Sequence, residues 1–304
     1  MTRTVPSPQK PRGAACLYTF PDASRFARQL ARATGIEMER VTLHGFPDGE
    51  SLVRMQPPVS DAAVLVRSLH NPNTKLVETL LAADALRRSG ARRVILIAPY
   101  LPYMRQDTMF HPGEPVSQRV IGTLLGQAFD GVLTLEAHLH RIHRLDEVMP
   151  CQAQSLSAAP VLAAWVRRTG GRCFVVGPDE ESEPWIRAIG QAAGAKWIVG
   201  KKERAGDRRV RIHFPALPPS SRAVLVDDIA SSGGTLAVAA RALRRAGVST
   251  IDALVVHAIF APDALSRLHA AGIRHVLSCD TIPHSTNALR AAPLMAAALQ
   301  EMLS

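Results

Sequence analysis

The residues best placed to do chemistry lie between Arg222 and Gly247, in the stretch RAVLVDDIASSGGTLAVAARALRRAG. Ala223 to Val226 is an apolar, β-branched run and reads as a buried strand, which Asp227 and Asp228 end. Ile229 to Thr235 is a loop of small residues. Leu236 to Arg245 has helical apolar spacing, and Gly247 is its stop signal. A strand, an acidic pair, a Ser/Gly loop and a helix together build an anion site. Main-chain N–H groups at the helix N-terminus point at a phosphate, and the helix dipole adds to the attraction. Gly233 and Gly234 allow the close approach, while Ser231, Ser232 and Thr235 offer hydroxyl donors. The two carboxylates are placed to take sugar hydroxyls.

Five other stretches carry reactive side chains, each with an ordinary structural explanation beside it. GFPDGES (Gly45 to Ser51) contains the turn-forming Pro-Asp-Gly and reads equally as a plain hairpin loop. YMRQD (Tyr103 to Asp107) follows a strand, and Arg105 can meet a phosphate or stack on a ring. EAHLHRIH holds His138, His140 and His143. No second ligand pair has metal spacing, so a structural zinc is disfavoured against one histidine serving a magnesium or nucleotide site. GPDEESEPW (Gly177 to Trp185) is acidic enough at Asp179 for a divalent cation, although acids at a helix start also suit the dipole. KKER (Lys201 to Arg204) has the makings of a mobile loop bringing cations to a polyphosphate, or of a solvated charge run.

These stretches need elements to hold them. The 304 residues, 47% of them hydrophobic, suffice for roughly two domains with proper cores. Helical and strand patterns alternate, including a helix over Lys75 to Arg88 and a strand over Arg93 to Ala98. Arg141 to Ser155 reads as a linker, after which the alternation repeats. That order implies a mostly parallel sheet with helices on both faces, twice. In such sheets ligands sit at the carboxyl ends of strands, where all these motifs fall. No apolar run approaches the ~20 residues that span a membrane. The first 13 residues lack the apolar core of a secretory signal and read as a disordered tail. Four well-separated cysteines suit free thiols in a reducing cytoplasm. The net charge of +10 comes from arginines scattered over helix faces, with only 5% aromatics. That pattern argues against nucleic acid and suits small anionic substrates.

The segment from Asp227 to Thr235 resembles the ribose 5-phosphate loop of the type I phosphoribosyltransferase fold. FPDGE, NPNTKLVETLL, PYMRQD, GEPVS, LEAHLH, GPD, KKER, VDDIASSGGT, HAIF and DTIP follow one another in one order. From about Leu17 to Leu303 the chain is thereby similar to the ribose-phosphate diphosphokinase (PRPP synthetase) family. The short stretch between Asp107 and Glu114 is closer to its archaeal-type members. The resemblance implies an α/β protein with two tandem phosphoribosyltransferase-like domains, Rossmann-like in layout, over 16–150 and 151–304, behind a tail over 1–15. It implies transfer of the β,γ-diphosphoryl group of ATP to the C1 hydroxyl of ribose 5-phosphate, with Mg2+ as cofactor, in a cytoplasmic homodimer or larger homo-oligomer. Phe46, Asp48, Glu50, Arg105, Gln106 and Asp107 would bind ATP. Asp227, Asp228, Ser231, Ser232, Gly233, Gly234 and Thr235 would bind ribose 5-phosphate. His138 and Asp179 would lie near the metal, and Lys202 and Arg204 would be catalytic.

Two departures from the family pattern stand out. The family loop that receives the diphosphate has Gly-Gly and a basic residue after its Asp, whereas this chain has Glu180, Glu181, Ser182, Glu183 and Pro184. The strand before His138 ends in Glu136-Ala137 rather than Asp-Leu. The acidic loop keeps two alternatives open: a catalytically silent PRPP-synthetase-associated regulatory protein, and a diphosphokinase or phosphoribosyltransferase with another substrate.

Overall fold

The computed structural model describes residues 14–57, 59–169, 173–205, 209–218 and 222–304, with main chain alone at 204, 205, 209 and 210. The tail expected over 1–15 therefore falls almost wholly outside the described residues. The chain forms two compact units: one runs to Leu156 and includes Ala292–Ser304, and the other is Ser157–Ala291.

In the first unit the elements are β1 (Ala15–Thr19), α1 (Ser24–Thr34), β2 (Met38–Arg40), β3 (Thr42–Gly45), β4 (Ser51–Arg54), β5 (Ala62–Val66), α2 (Pro72–Arg88), β6 (Arg93–Ala98), α3 (Ser117–Ala128), β7 (Gly131–Leu135) and β8 (Gln152–Leu156). Six strands pair in parallel in the order β2-β1-β5-β6-β7-β8, and β3 and β4 form a separate antiparallel hairpin. The inner strands are near-continuous apolar runs because helices cover both faces of the sheet.

The second unit contains α4 (Ala159–Arg168), β9 (Phe174–Gly177), α5 (Glu183–Ala193), β10 (Trp197–Val199), β11 (Lys201–Ala205), β12 (Arg209–His213), β13 (Arg222–Ala230), α6 (Gly234–Arg245), β14 (Thr250–Ala258), α7 (Ala264–Ala270), β15 (Ile273–Cys279) and β16 (Asn287–Leu289). Its sheet runs β10-β9-β13-β14-β15-β16, again all parallel, with β11 and β12 as the separate hairpin. The two units thus repeat one topology strand for strand, hairpin included. The last helix, α8 (Ala292–Leu303), returns to the first unit and packs on α1 and β7.

Several expectations are corrected. The division at residue 150 falls too early, because β8 extends the first sheet beside β7 instead of serving as linker. Nor does the second domain keep the chain to residue 304. Helix α1 buries Phe26, Ala27 and Leu30, and α8 brings Met295, Leu299 and Met302 into the same unit. The acidic pair does not end its strand, since β13 stays paired with β14 as far as Ala230. KKER is the first strand of a hairpin, not a loop. Helix α2 begins at Pro72 behind Asn71, whose φ is 53°, rather than at Lys75.

Beyond the carboxyl ends of β1 and β5 lies a charge network that sequence patterns did not suggest. Arg67 Nη1 is 2.6 Å from Glu78 Oε2, and its guanidinium lies 3.9 Å from the Phe20 ring centroid. Arg67 Nε is 3.4 Å from Asp22 Oδ1, and Lys75 Nζ is 2.7 Å from Asp22 Oδ2. The Ser51 hydroxyl donates to Glu78 at 2.8 Å, tying the base of the β3–β4 hairpin to α2. Burial opposes ionisation of Asp22, but the hydrogen bond from Lys75 and the charges of Arg67 and Lys75 outweigh it and hold the carboxyl below its usual range. Removing one partner of a buried pair leaves the other charge uncompensated. Glu78→Ala is therefore expected to destabilise the protein by about 3 kcal/mol, read as a lower urea midpoint. An unchanged midpoint would show that Asp22 alone suffices for Arg67.

Candidate functional site

In the second unit the site forms where β9 and β13 end. Strand β13 carries Asp227 and Asp228 past the sheet interior, each only half-buried. The Asp228 N–H donates to Asp227 Oδ1 at 3.1 Å, and the Ile229 N–H donates to Asp228 Oδ1 at 2.7 Å. The chain then turns through Ser231 and Ser232, both exposed, into α6. Gly233 is the N-cap residue, at φ 70°, and has no side chain of its own to cap the helix. A Cβ there would lie 3.1 Å from Leu268 atoms, so glycine is required by both conformation and space. The Ser232 hydroxyl accepts the Gly234 N–H at 3.3 Å, and Arg267 holds the Ser232 carbonyl at 3.1 Å. Thr235 lies in the first turn of α6, so the stretch expected to take an anion opens onto a helix N-terminus behind a pinned loop.

Asp179 follows β9 and faces this loop. Its Oδ2 is 3.9 Å from Lys202 Nζ, a distance at the outer limit of an ion pair. In the β11–β12 ladder Lys202 stands opposite Ile212, which is buried in the unit's core. The Arg204 side chain lies outside the described residues. The acidic run after Asp179 divides its roles. Glu180–Ser182 is a 3-10 turn, with the Ser182 hydroxyl donating to the Asp179 carbonyl at 2.5 Å. Glu183 opens α5 and pairs with Arg187 at 2.8 Å.

Three carboxylates gather there, and among the described residues Lys202 is the cation within ion-pair range of Asp179. Burial first, then the Asp228 and Asp179 carboxylates, push Asp227 well above the usual carboxylate range. Among the described residues no three His, Cys, Asp or Glu side chains form a ready-made metal cage. The donors still suit magnesium, a hard cation that takes one or two carboxylates and completes its shell with substrate oxygens and water.

The first unit carries the other expected residues. Phe46, Asp48 and Glu50 are exposed at the tip of the β3–β4 hairpin, which is closed by the Phe46 N–H to Glu50 carbonyl bond at 2.8 Å. The hairpin borders a groove of about 670 Å3 lined by Asp48, Glu50, Asn73, Val77 and Leu81. The Tyr103 hydroxyl bonds to Asn73, so the loop carrying Arg105 is tied to the same helix. Gln106 takes the Gln118 N–H on its carbonyl at 3.1 Å. Arg141, a residue the motifs did not single out, donates to Asp107 at 2.7 Å. Its only sequence signal was its place inside the histidine run, between His140 and His143. His138 lies with His140, their Nε2 atoms 2.6 Å apart, so one ring donates to the other. His138 and Asp179, expected near one metal, belong to different units.

Asp227 holds its proton to higher pH when folded than when unfolded. Stability therefore falls as pH rises from the ordinary carboxylate range towards the raised folded value, and the loss persists above it. In chelator-treated protein, Asp227→Asn should raise the thermal midpoint at neutral pH and flatten its decline between pH 4 and 8. A lower midpoint, or an unchanged slope, would contradict this account.

Residues 15–128 match the family model for the N-terminal domain of ribose phosphate pyrophosphokinase, and residues 152–286 match the phosphoribosyl transferase domain. A ribose-phosphate pyrophosphokinase of Methanopyrus kandleri is 34% identical over 282 residues, covering 91% of this chain and 96% of that protein. Ribose-phosphate pyrophosphokinase 2 of Archaeoglobus fulgidus is 32% identical over 278 residues, covering 91% and 97%. The crystal structure of phosphoribosylpyrophosphate synthetase from Mycobacterium smegmatis superposes with a TM-score of 0.83 over 95% of this chain and 99% of that one. At 24% identity it speaks for the fold.

Proposed function

The chain belongs to the ribose phosphate pyrophosphokinase family, and from that premise we propose that it makes PRPP and AMP from ATP and ribose 5-phosphate. The observation that carries the reading is the pocket of the second unit, where a helix N-terminus and the pair Asp227, Asp228 share one short loop. The amides from Ser231 to Thr235 take the 5-phosphate, and Asp227 and Asp228 take the ribose hydroxyls. The ribose C1 hydroxyl then attacks the β-phosphorus, the bond from that phosphorus to the α-phosphate oxygen breaks, and AMP leaves. Charge builds on phosphoryl oxygens in line between nucleophile and leaving group, so positioning and cations dominate the catalysis. Lys202 moves from Asp179 onto that charge, with Arg204 on the same strand. Asp179 in the second unit would hold magnesium, which would supply charge neutralisation on the polyphosphate, and His138 in the first unit would serve a metal there. Phe46, Asp48 and Glu50 on one arm, and Arg105, Gln106 and Asp107 on another, take the nucleotide.

The acidic turn after Asp179 favours one competing reading, a regulatory relative that binds these ligands without turnover, since three acids repel a diphosphate. One assay separates the two. Purified protein with MgATP and ribose 5-phosphate should release AMP and PRPP in equal amounts, and Lys202→Ala should lower kcat roughly 100-fold. Ligand-induced stabilisation without AMP release would favour the regulatory reading.

The protein acts as a homodimer or larger homo-oligomer in the cytoplasm. Support for self-association comes from Val77, 57% exposed, and Leu81, 42% exposed, which line the groove beside the hairpin. Free cysteines at 16, 151, 173 and 279 suit a reducing compartment. The double variant Val77→Glu, Leu81→Glu should shift the light-scattering mass towards the monomer. An unchanged mass would place the interface elsewhere.

A further inference from the structure

Asp107 is built for a ligand in a way its sequence motif does not reveal. Its side chain is only 2% exposed. Oδ1 accepts from Arg141 Nη1 at 2.7 Å, while Oδ2 is buried with no hydrogen-bond partner among the described residues. A buried carboxylate oxygen left without a donor is costly, so the arrangement makes physical sense where a donor arrives.

The two loops involved are anchored separately. Ser117 donates to the Gln106 side chain, and the Gln118 side chain donates to the Met104 carbonyl at 3.3 Å, which fixes the loop after β6 on α3. The Ala137 N–H donates to Ser155 at 2.9 Å, which fixes the loop after β7 on β8. Arg141 spans from the second loop to the first. A guanidinium is a planar fork with fixed donor directions, so engaging Oδ1 also sets the direction of Oδ2. Arg141 itself is 58% exposed, so its bond to Asp107 contributes little to the stability of the core.

We propose that Arg141 is a positioning residue for the nucleotide half of the reaction. It turns Asp107 so that Oδ2 accepts one N–H of the incoming base, and it thereby contributes to base selection. This rests on the reading of Arg105 to Asp107 as nucleotide-binding. Because Oδ1 is taken by Arg141, a single acceptor remains, and a single amino hydrogen satisfies it. Substituting Arg141 frees the carboxylate to rotate without removing it.

Steady-state kinetics with ATP and with purine riboside triphosphate, which lacks the amino group, test the idea. The parent protein should prefer ATP by about tenfold in kcat/KM. Arg141→Gln should raise the KM for ATP by a similar factor, leave kcat within twofold and abolish the preference. Arg141→Lys, which restores a charged donor without the fork, should recover part of it. A folded Arg141→Gln variant with unchanged KM and preference, alongside an Asp107→Asn variant that loses both, would overturn the role of Arg141 and leave the nucleotide reading standing. Unchanged ATP kinetics in Asp107→Asn would overturn the nucleotide reading itself and the inference with it.

Discussion

Negative charge crowded at the end of β13 is the constraint on which the rest of the second unit depends. Asp227, Asp228 and Asp179 converge beside the N-terminus of α6, and Lys202 is the one cation within ion-pair range of Asp179 among the described residues. Such a cluster persists only where stiff neighbours impose it. Here β13 is held on both sides, by β9 and β14, and neither neighbour can yield without breaking a parallel ladder. Gly233 supplies the left-handed turn that aims the α6 amides into the same space. Burial and the neighbouring carboxylates hold Asp227 above its usual range in this pocket, and Lys202 stands beside Asp179. A polyphosphate accompanied by a divalent cation would supply both the donors' target and further positive charge.

The first unit answers the same topology in the opposite way. Its counterpart of the β13-to-α6 turn is the passage from β5 to α2, where Arg67 and Lys75 stand instead of an acidic pair. The first sheet's counterpart of Asp179 is Asp22, since each follows a Pro at the end of the strand beside the central one. Asp22 is already held by Lys75 and Arg67, and Glu78 completes the set. One carboxyl is thereby kept below its usual range, while Asp227 is pushed above it. The duplicated fold thus lowers the titration range of a carboxyl at one strand end and raises it at the other. In the first unit the network has become a mechanical part, fastening the β3–β4 hairpin through Ser51.

Legibility followed from how local each signal was. The alternation of apolar strands with helical stripes, and the turn from Asp227 to Thr235, are short-range patterns and were readable directly. Where a strand stopped was not, because β13 runs on to Ala230 only since β14 is there to pair with it. The strand Gln152–Leu156 escaped because QAQSL has no apolar alternation, and its place at the sheet edge comes from β7. The return of α8 to the first unit is likewise a tertiary choice between two equally apolar hosts. Nothing in the motifs singled out Arg141, Arg67 or Glu78, because their roles depend on partners such as Asp107, Asp22 and Ser51, 34, 45 and 27 residues away in the chain. Resemblance proposed side chains for the ligands, but it was silent on the residues that hold them.

The two hairpins show how a duplicated fold divides labour. Each is inserted at the same point, between the edge strand and the return to the sheet centre: β3–β4 after β2, and β11–β12 after β10. The first projects Phe46, Asp48 and Glu50 from a tight turn closed by main-chain bonds, and the Asp48 carboxylate accepts the Glu50 N–H at 3.1 Å. The second presents Lys202 on the face of a ladder whose opposite residue, Ile212, is anchored in the core. A two-stranded ribbon has few contacts to hold it to its sheet, so it is the element most free to change side chains without cost to the fold. One copy is thus free to carry an aromatic and acidic tip and the other a cationic strand. Both remain fixed at their bases, by Ser51 on Glu78 in one case and by Ile212 against Gly200 in the other, where any side chain larger than hydrogen would collide.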